Sequence, residues 1–175
     1  MTKQLFSYFG VFLVILGLYL ISNQIERESN IVNAISIDCC TDEQLQSFKL
    51  RMVKTACYGA CPVYELEVGA TGKLRVIGIS NVSFNKIQHN LTQKQLSELG
   101  KMVFAAGFFQ VSDIYDYDGS GCVRTATDQS ATIWDISIGD LTNSVTLYKG
   151  CEGAPSSLLS LEREIVSRYE IETDT

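Results

Sequence analysis

Residues 55–64, Thr-Ala-Cys-Tyr-Gly-Ala-Cys-Pro-Val-Tyr, are the most distinctive stretch of the chain and decide how its middle is expected to fold. Before it, residues 47–55 (SFKLRMVKT) alternate apolar with basic or polar side chains, and after it residues 63–68 (VYELEV) alternate apolar and acidic ones. Such a period of two is typical of strands with one buried face. Cys57 therefore closes one strand and Cys61 opens the next. If these strands pair, the two cysteines face each other across the neck of a hairpin, within reach of a disulfide.

The loop between the two cysteines contains residues suited to a tight connection. Gly59 can adopt the positive φ that a short loop requires, and Pro62 removes one backbone donor from the start of the second strand. Thiol–disulfide enzymes usually separate their cysteines by two residues at the start of a helix, which lowers the thiol pKa. Three residues separate Cys57 and Cys61, and they lie between strands. We therefore predict a structural disulfide, with a redox pair and a metal site as alternatives.

Beyond this hairpin, the sequence predicts a third strand and a helix. A turn at residues 70–72 leads to the strand at residues 73–79. Thr92 and Gln95 have the spacing of a capping box, which marks the start of a helix. Gly100 weakens this helix because glycine has a low helix propensity. The apolar face of the helix comprises Leu96, Leu99 and Val103.

The last third of the chain predicts a loop, a second hairpin and a final helix. The loop spans residues 113–121, and the strands span residues 130–138 and 143–148. Pro155 suits the first turn of the final helix. The apolar face of that helix comprises Leu158, Leu161, Ile165 and Tyr169. The elements together predict an α+β fold, with an antiparallel sheet in βββ-α-ββ-α order and helices packed on one face.

Residues 5–21 (LFSYFGVFLVILGLYLI) form an almost unbroken apolar stretch. As a helix it measures about 25 Å, at the short end for crossing a bilayer. The stretch is longer than the hydrophobic region of a typical cleaved signal peptide, and no small-x-small cleavage site follows it. We therefore predict a transmembrane anchor, with a cleaved signal peptide and a buried helix of the domain as the alternatives. Lys3 before it favours a cytoplasmic N-terminus. The predicted parts are an anchor at 1–25, a tether at 26–46 and an extracytoplasmic domain at 47–172, in the periplasm or on the cell surface.

The motif at residues 55–64 resembles the signature Cys-(Tyr/Phe)-Gly-x-Cys-Pro-x-Tyr of a bacterial family, the domain of unknown function 6438. The resemblance extends over about residues 47–170, and Cys122 and Cys151 match later cysteines of the family. The chain departs from the family at residues 129–130, where a Pro-Thr pair is expected. The family has no established activity, so the resemblance implies the fold and leaves the function open.

All six cysteines follow the apolar stretch, and on an exported domain such a set indicates disulfides. Cys122 precedes the second predicted hairpin and Cys151 follows it. Pairing of the two strands would bring these cysteines close together, which predicts a second disulfide. Cys39 and Cys40 have no clear partners. They are free, bridge the tether to the domain, or link two chains.

Polar residues in the predicted loops form a candidate binding surface. It comprises Tyr58, Gly59, Asp116, Asp118 and Asp128. The aspartates resemble a calcium loop, but an EF-hand alignment puts Ile114 and Thr125 at ligand positions, so a solvated acidic turn is preferred. His89, the only histidine, is interpreted as an exposed loop residue. We assign no metal ligand and no catalytic residue.

The acidic net charge of the chain makes some classes of binding partner unfavourable. The net charge is −6 and the pI about 4.8, which disfavours contact with the phosphate backbone of nucleic acids. We expect a non-catalytic, cofactor-free module of the bacterial envelope, anchored through residues 5–21, that binds a protein, peptide or glycan. The competing hypotheses are a thiol–disulfide oxidoreductase that uses Cys57 and Cys61, and a hydrolase that uses the acidic loop at residues 113–121.

Overall fold

The computed structural model describes residues 39–118 and 121–171. The predicted anchor at residues 5–21 lies outside the described residues, as does most of the predicted tether. Among the described residues, no helix combines the length and the apolar character needed to cross a membrane.

The described chain alternates short helices with a larger number of strands. In chain order the elements are α1 (Asp42–Leu45), β1 (Lys49–Lys54), β2 (Val63–Gly69), β3 (Lys73–Ser80), β4 (Lys86–Asn90), α2 (Gln93–Ala105), a 3-10 turn (Phe108–Gln110), β5 (Ile114–Tyr115), β6 (Arg124–Thr125), β7 (Ala131–Ile138), β8 (Leu141–Tyr148), β9 (Cys151–Glu152) and α3 (Ser156–Arg168). The predicted α+β class is confirmed.

The main sheet has the strand order β4-β3-β2-β1-β7-β8-β5, so β1 lies at its centre. Leu50 of β1 pairs with Val68 on one side and with Ile136 on the other, which aligns three apolar side chains on one face. Neighbouring strands are antiparallel except β5, which runs parallel to β8. After β4 the chain passes through α2 to reach β5 at the opposite edge. Strands β6 and β9 form a separate two-stranded sheet.

One face of the main sheet is buried beneath the two long helices. Every second residue of β7 is buried, and Trp134 packs edge-on against Phe108 of the 3-10 turn at a centroid distance of 6.3 Å. The apolar faces predicted for α2 and α3 belong to the same core as the strands. Burial of these side chains stabilises the fold by roughly 1.5–3 kcal/mol for each large one. The capping box at Thr92 and Gln95 is present, so α2 begins where predicted.

The opposite face of the sheet carries a row of charges. Arg75 bonds to Glu67 of β2, and Arg51 of β1 bonds to Asp135 of β7 and to Glu65 of β2. These residues occupy the polar phase of the period-two pattern, which explains why the same strands are apolar on the other face. Exposed pairs of this kind contribute little to stability, roughly 0–1 kcal/mol each.

The structure adds strands that the sequence pattern did not predict. The sequence pattern predicts no strand at residues 86–90, which form edge strand β4, paired with β3. Its single apolar side chain, Ile87, gives no alternation to detect. β8 begins at Leu141 rather than at residue 143, because Gly139 at φ +59° closes a two-residue turn in which Ile138 pairs with Leu141.

Two cysteine pairs lie at disulfide distance, as predicted. Cys57 and Cys61 are bonded, with their Cα atoms 5.7 Å apart, and Cys122 and Cys151 are bonded, with their Cα atoms 5.2 Å apart. The first bond closes the connection from β1 to β2. The second joins β9 to the segment before β6, and these two strands pair with each other.

Cys39 and Cys40 are free and buried in the core, so residues 39–46 belong to the folded domain and not to a tether. Their burial keeps them from reaching a second chain. A Cβ atom at Gly100 of α2 would stand 2.7 Å from the Cys40 Sγ. The glycine that weakens α2 by propensity therefore makes room for this thiol. Burial and a hydrogen bond with Cys39 raise the pKa of Cys40 to about 12.

We predict that Gly72→Ala destabilises the domain by on the order of 2 kcal/mol or more. Gly72 has φ +76°, and a Cβ atom there would stand 2.2 Å from the Leu91 carbonyl oxygen. Urea unfolding followed by the fluorescence of Trp134, the only tryptophan, measures the change. Gly69→Ala is the matched control, since a Cβ atom at Gly69 meets nothing within 4 Å. Equal effects of the two substitutions would refute this account of the turn.

Thiol titration checks the cysteine assignment. In the native protein we expect Cys39 and Cys40 to react slowly with a thiol reagent, because both are buried and the pKa of Cys40 is high. In denaturant without reductant, two thiols should react, and after reduction all six cysteines should react. Four reactive thiols in the unreduced, denatured chain would show that one of the two disulfides is absent.

Candidate functional site

The structure places the predicted binding residues on three loops, those between β1 and β2, between β5 and β6, and between β6 and β7. Tyr58 lies at the tip of the disulfide loop with 89% of its surface exposed, and its N–H donates to the Asp128 carbonyl oxygen at 3.4 Å. Gly59 follows it with φ +152°. Asp128 takes the left-handed conformation at φ +67° and accepts a hydrogen bond from the Thr127 hydroxyl. Tyr58, Gly59 and Asp128 are thus brought together.

The acidic loop approaches the same region through Tyr148. The ring of Tyr117 packs edge-on against that of Tyr148 at 5.6 Å, and the Tyr148 hydroxyl donates to the Ala126 carbonyl oxygen. Asp116 is half-buried and Asp118 is exposed. Two cavities, of about 550 and 480 Å³, are lined by other residues. The predicted surface therefore consists of exposed loops and lines neither cavity.

His89 differs from its predicted position in an exposed loop. It lies in β4, its ring is 5.9 Å from the ring of Tyr169, and its Nε2 atom is buried. No set of three His, Cys, Asp or Glu side chains within residues 39–118 and 121–171 is placed to hold a metal ion.

The strongest concentration of buried charge lies where β1, β7 and α3 meet. The Lys54 Nζ lies 2.8 Å from one carboxylate oxygen of Glu162, and the Lys149 Nζ binds the other oxygen. The Thr132 hydroxyl donates to that second oxygen at 2.8 Å. The side chain of Glu162 is only 9% exposed, and those of Lys54 and Lys149 are 12% and 21% exposed. One buried carboxylate thus bridges two ammonium groups.

The strands bring these residues together by register. Lys54 and Thr132 are paired across β1 and β7, and both occupy the inward phase of the pattern. Glu162 lies on the buried face of α3, beside Leu161 and one turn after Leu158. Two signals in the sequence could have identified this site. One is a charged residue at an inward position of a strand, and the other is a charged residue on the apolar face of a helix. Buried charges must be paired.

The charges alter the acidity of the groups in this cluster. Burial alone would raise the pKa of Glu162, but Lys54 and Lys149 hold it below its ordinary value. Burial lowers the pKa of Lys149, aided by the nearby Lys54 and only partly opposed by Glu162. Burial, together with Glu162, raises the pKa of Tyr64, which keeps that phenol neutral.

A cavity of about 480 Å³ opens beside the cluster, and we call it the lysine cleft. Its lining residues are Lys54, Pro62, Tyr64, Ser130, Lys149, Leu159, Glu162, Arg163 and Val166. Pro62 and Tyr64 belong to the cysteine motif at residues 55–64, so the most distinctive stretch of the sequence forms one wall. The Lys149 N–H donates to the Ser130 carbonyl oxygen, which fixes the two residues next to each other. Apolar and cationic groups therefore share one concave surface.

The lysine cleft contains more positive than negative charge. Lys54, Lys149 and Arg163 face a single carboxylate, that of Glu162. Among the described residues, Arg163 makes no ion pair. Such an arrangement can attract an anionic group, because the field of like charges is focused between low-dielectric walls.

The larger cavity, of about 550 Å³, lies on the charged face of the sheet. Its arginines, Arg51 and Arg75, are both paired with carboxylates from neighbouring strands. The cavity also contains Lys49 and Lys73, so its cations outnumber its carboxylates as well, but its charged side chains are exposed to solvent and interact weakly. In the lysine cleft, by contrast, Lys54, Lys149 and Glu162 are largely buried. The lysine cleft is therefore the better candidate site.

The buried carboxylate predicts a stability effect. Glu162→Gln leaves two largely buried lysines without a counter-charge, and we expect it to reduce the free energy of unfolding by about 3 kcal/mol. Glu164→Gln is the matched control on the same helix, since Glu164 forms only an exposed pair with Arg168. We expect that control to change the stability by less than about 0.5 kcal/mol.

The same substitution predicts a pH dependence. The folded-state pKa of Glu162 lies below its ordinary value of 4.5, so its stabilising contribution is present above that value and is lost as the pH falls below it. The stability difference between the native protein and Glu162→Gln should therefore shrink in acid. Urea midpoints measured from pH 7 down to about pH 3 test this, and a constant difference would show that Glu162 is not ionised in the fold.

Comparison with known proteins identifies a family. No curated protein matches the chain. Residues 48–169 match the family described as Domain of unknown function (DUF6438). The match extends from the start of β1 through α3 and includes both disulfides and every residue of the lysine cleft. The chain belongs to the DUF6438 family.

Proposed function

We propose that the protein is a non-catalytic binding module of the bacterial envelope, and that it receives an anionic group of its ligand in the lysine cleft. The apolar stretch at residues 5–21 supports an anchor in the membrane with the folded domain on the outer side. The two disulfides support the same location, because such bonds persist in oxidising compartments.

The observation that carries this proposal is the sharing of one carboxylate by two lysines. Glu162 can neutralise only one of the charges on Lys54 and Lys149. Arg163 adds a third positive charge at the same cavity. An anion bound there would neutralise charges that the described protein leaves uncompensated, and it would gain charge-assisted hydrogen bonds.

The walls of the lysine cleft favour a ligand with an apolar part beside its charge. Leu159, Val166 and Pro62 line the cavity next to the cations. Ligand sites generally combine an apolar lining with a few polar groups that fix orientation. A modified peptide end or a charged glycan substituent has this composition.

The alternative function, a thiol–disulfide oxidoreductase, draws support from the half-exposed position of Cys57 and Cys61. Their loop connects two strands, β1 and β2, and so lacks the helix N-terminus that lowers the pKa of a redox thiol. The geometry therefore favours a structural bond at the rim of the binding site.

Nuclear magnetic resonance of the full-length protein in detergent micelles tests the proposal. Sodium phosphate is titrated at constant ionic strength into ¹⁵N-labelled protein. We expect saturable shifts of the backbone amides of Ser130, Lys149 and Arg163, with a dissociation constant on the order of 1 mM. Binding at this position should shift these resonances more than that of Lys86, which lies on edge strand β4 outside the cleft.

Two substitutions with one control make the test specific. Lys149→Met removes one shared ammonium group, and Arg163→Met removes the exposed cation that has no ion pair in the described chain. Each should weaken the anion response several-fold, whereas Lys86→Met should leave it unchanged. A response that is absent in the native protein, or one that survives both cleft substitutions, would disprove the proposed site.

A further inference from the structure

We infer that the anionic group received by the lysine cleft is a doubly charged phosphate monoester and not a carboxylate. This inference rests on the proposed function and names the chemical class of the ligand. It follows from the number of charges, the kinds of hydrogen-bond donor and the size of the cavity.

The charge count favours a dianion. The lysine cleft holds Lys54, Lys149 and Arg163 against Glu162 alone, an excess of two positive charges. A carboxylate would neutralise one of them, whereas a phosphate monoester near neutral pH carries close to two negative charges. This local excess is opposite in sign to the net charge of the whole chain, which is −6.

The donors favour a group with several acceptor oxygens. The ammonium groups of Lys54 and Lys149 each carry donors beyond the one used by Glu162. Ser130 is buried and lines the cavity, where its hydroxyl adds a neutral donor. Arg163 contributes a planar fork that matches phosphate oxygens. The three oxygens of a monoester can use donors from three directions, whereas a planar carboxylate has two.

The cavity also leaves room for the organic part of the ester. A volume of about 480 Å³ exceeds that of a phosphate group alone. Leu159 and Val166 of α3 also line the cavity, four residues before and three residues after Arg163. The ester's carbon skeleton would contact these two side chains while its phosphate faces the lysines.

The closing experiment compares ligands that share one ring. Phenyl phosphate, methyl phenyl phosphate and benzoate are titrated calorimetrically into the full-length protein in micelles at pH 7.5. They present a dianion, a tetrahedral monoanion and a planar monoanion. We expect phenyl phosphate to bind about tenfold more tightly than either monoanion, because it gains one further charge-assisted interaction. Arg163→Met should reduce this preference, and Lys86→Met should preserve it.

The outcomes separate the two proposals. Equal binding of phenyl phosphate and benzoate overturns the phosphate inference and leaves the proposed anion site intact. Binding of none of the three ligands overturns both. Ser130→Ala offers a further variant that keeps the charge: it should weaken phenyl phosphate severalfold, and an unchanged affinity would overturn the role given to this hydroxyl and with it the inference.

Vesicles distinguish the two sources of a phosphate monoester. Phosphatidic acid presents a monoester headgroup, and phosphatidylglycerol presents a singly charged diester. Binding to phosphatidic acid vesicles that is lost in Lys149→Met supports the inference with a lipid as the source. Binding of phenyl phosphate without any preference for phosphatidic acid over phosphatidylglycerol supports it with a soluble or protein-borne ester as the source.

Discussion

The carboxylate of Glu162 is the interaction on which the arrangement of the domain depends. It is buried, so it must be paired, and its partners come from β1, from β7 and from the residue that follows β8. These contacts determine where α3 lies across the sheet. Hydrophobic contacts alone would permit the helix to slide by a turn, because Leu158, Leu161 and Ile165 are similar in shape and polarity.

The same requirement explains the position of the cysteine motif. Lys54 is the last residue of β1, and its ammonium group must reach into the core just before the chain turns. The bond between Cys57 and Cys61 closes the turn that follows, and β2 re-enters the sheet with Tyr64 beside the cluster. A half-exposed disulfide and a proline thus support a buried charge network, and their shared location makes the motif a structural part of the lysine cleft.

The sequence was informative where periodicity extended over six or more residues. It identified β1, β2, β3, β7, β8, α2 and α3, because each alternates or repeats against a single core. It missed β4, whose one apolar residue is Ile87, and it missed the two-residue strands, which are too short to show a period. The membrane anchor stays a prediction, because residues 5–21 lie outside the described part of the chain.

The candidate site was missed for a different physical reason. Lys54 and Glu162 are 108 residues apart, so no local pattern links them, and only the register of β1 with β7 and the packing of α3 bring them together. The sequence nevertheless contains a partial signal. Both residues occupy positions that the pattern assigns to apolar side chains, and a charge at such a position needs a partner.

Stability alone does not explain the second lysine. One ammonium group suffices to neutralise Glu162, and burying another adds a desolvation cost that lowers the pKa of Lys149. An apolar side chain at position 149 would avoid that cost and still pack against the cluster. The proposed anion would explain why a lysine stands at position 149 despite this desolvation cost, because its ammonium group would contact the ligand. Lys149 is therefore the residue on which the proposed binding site and a purely structural ion pair differ most clearly.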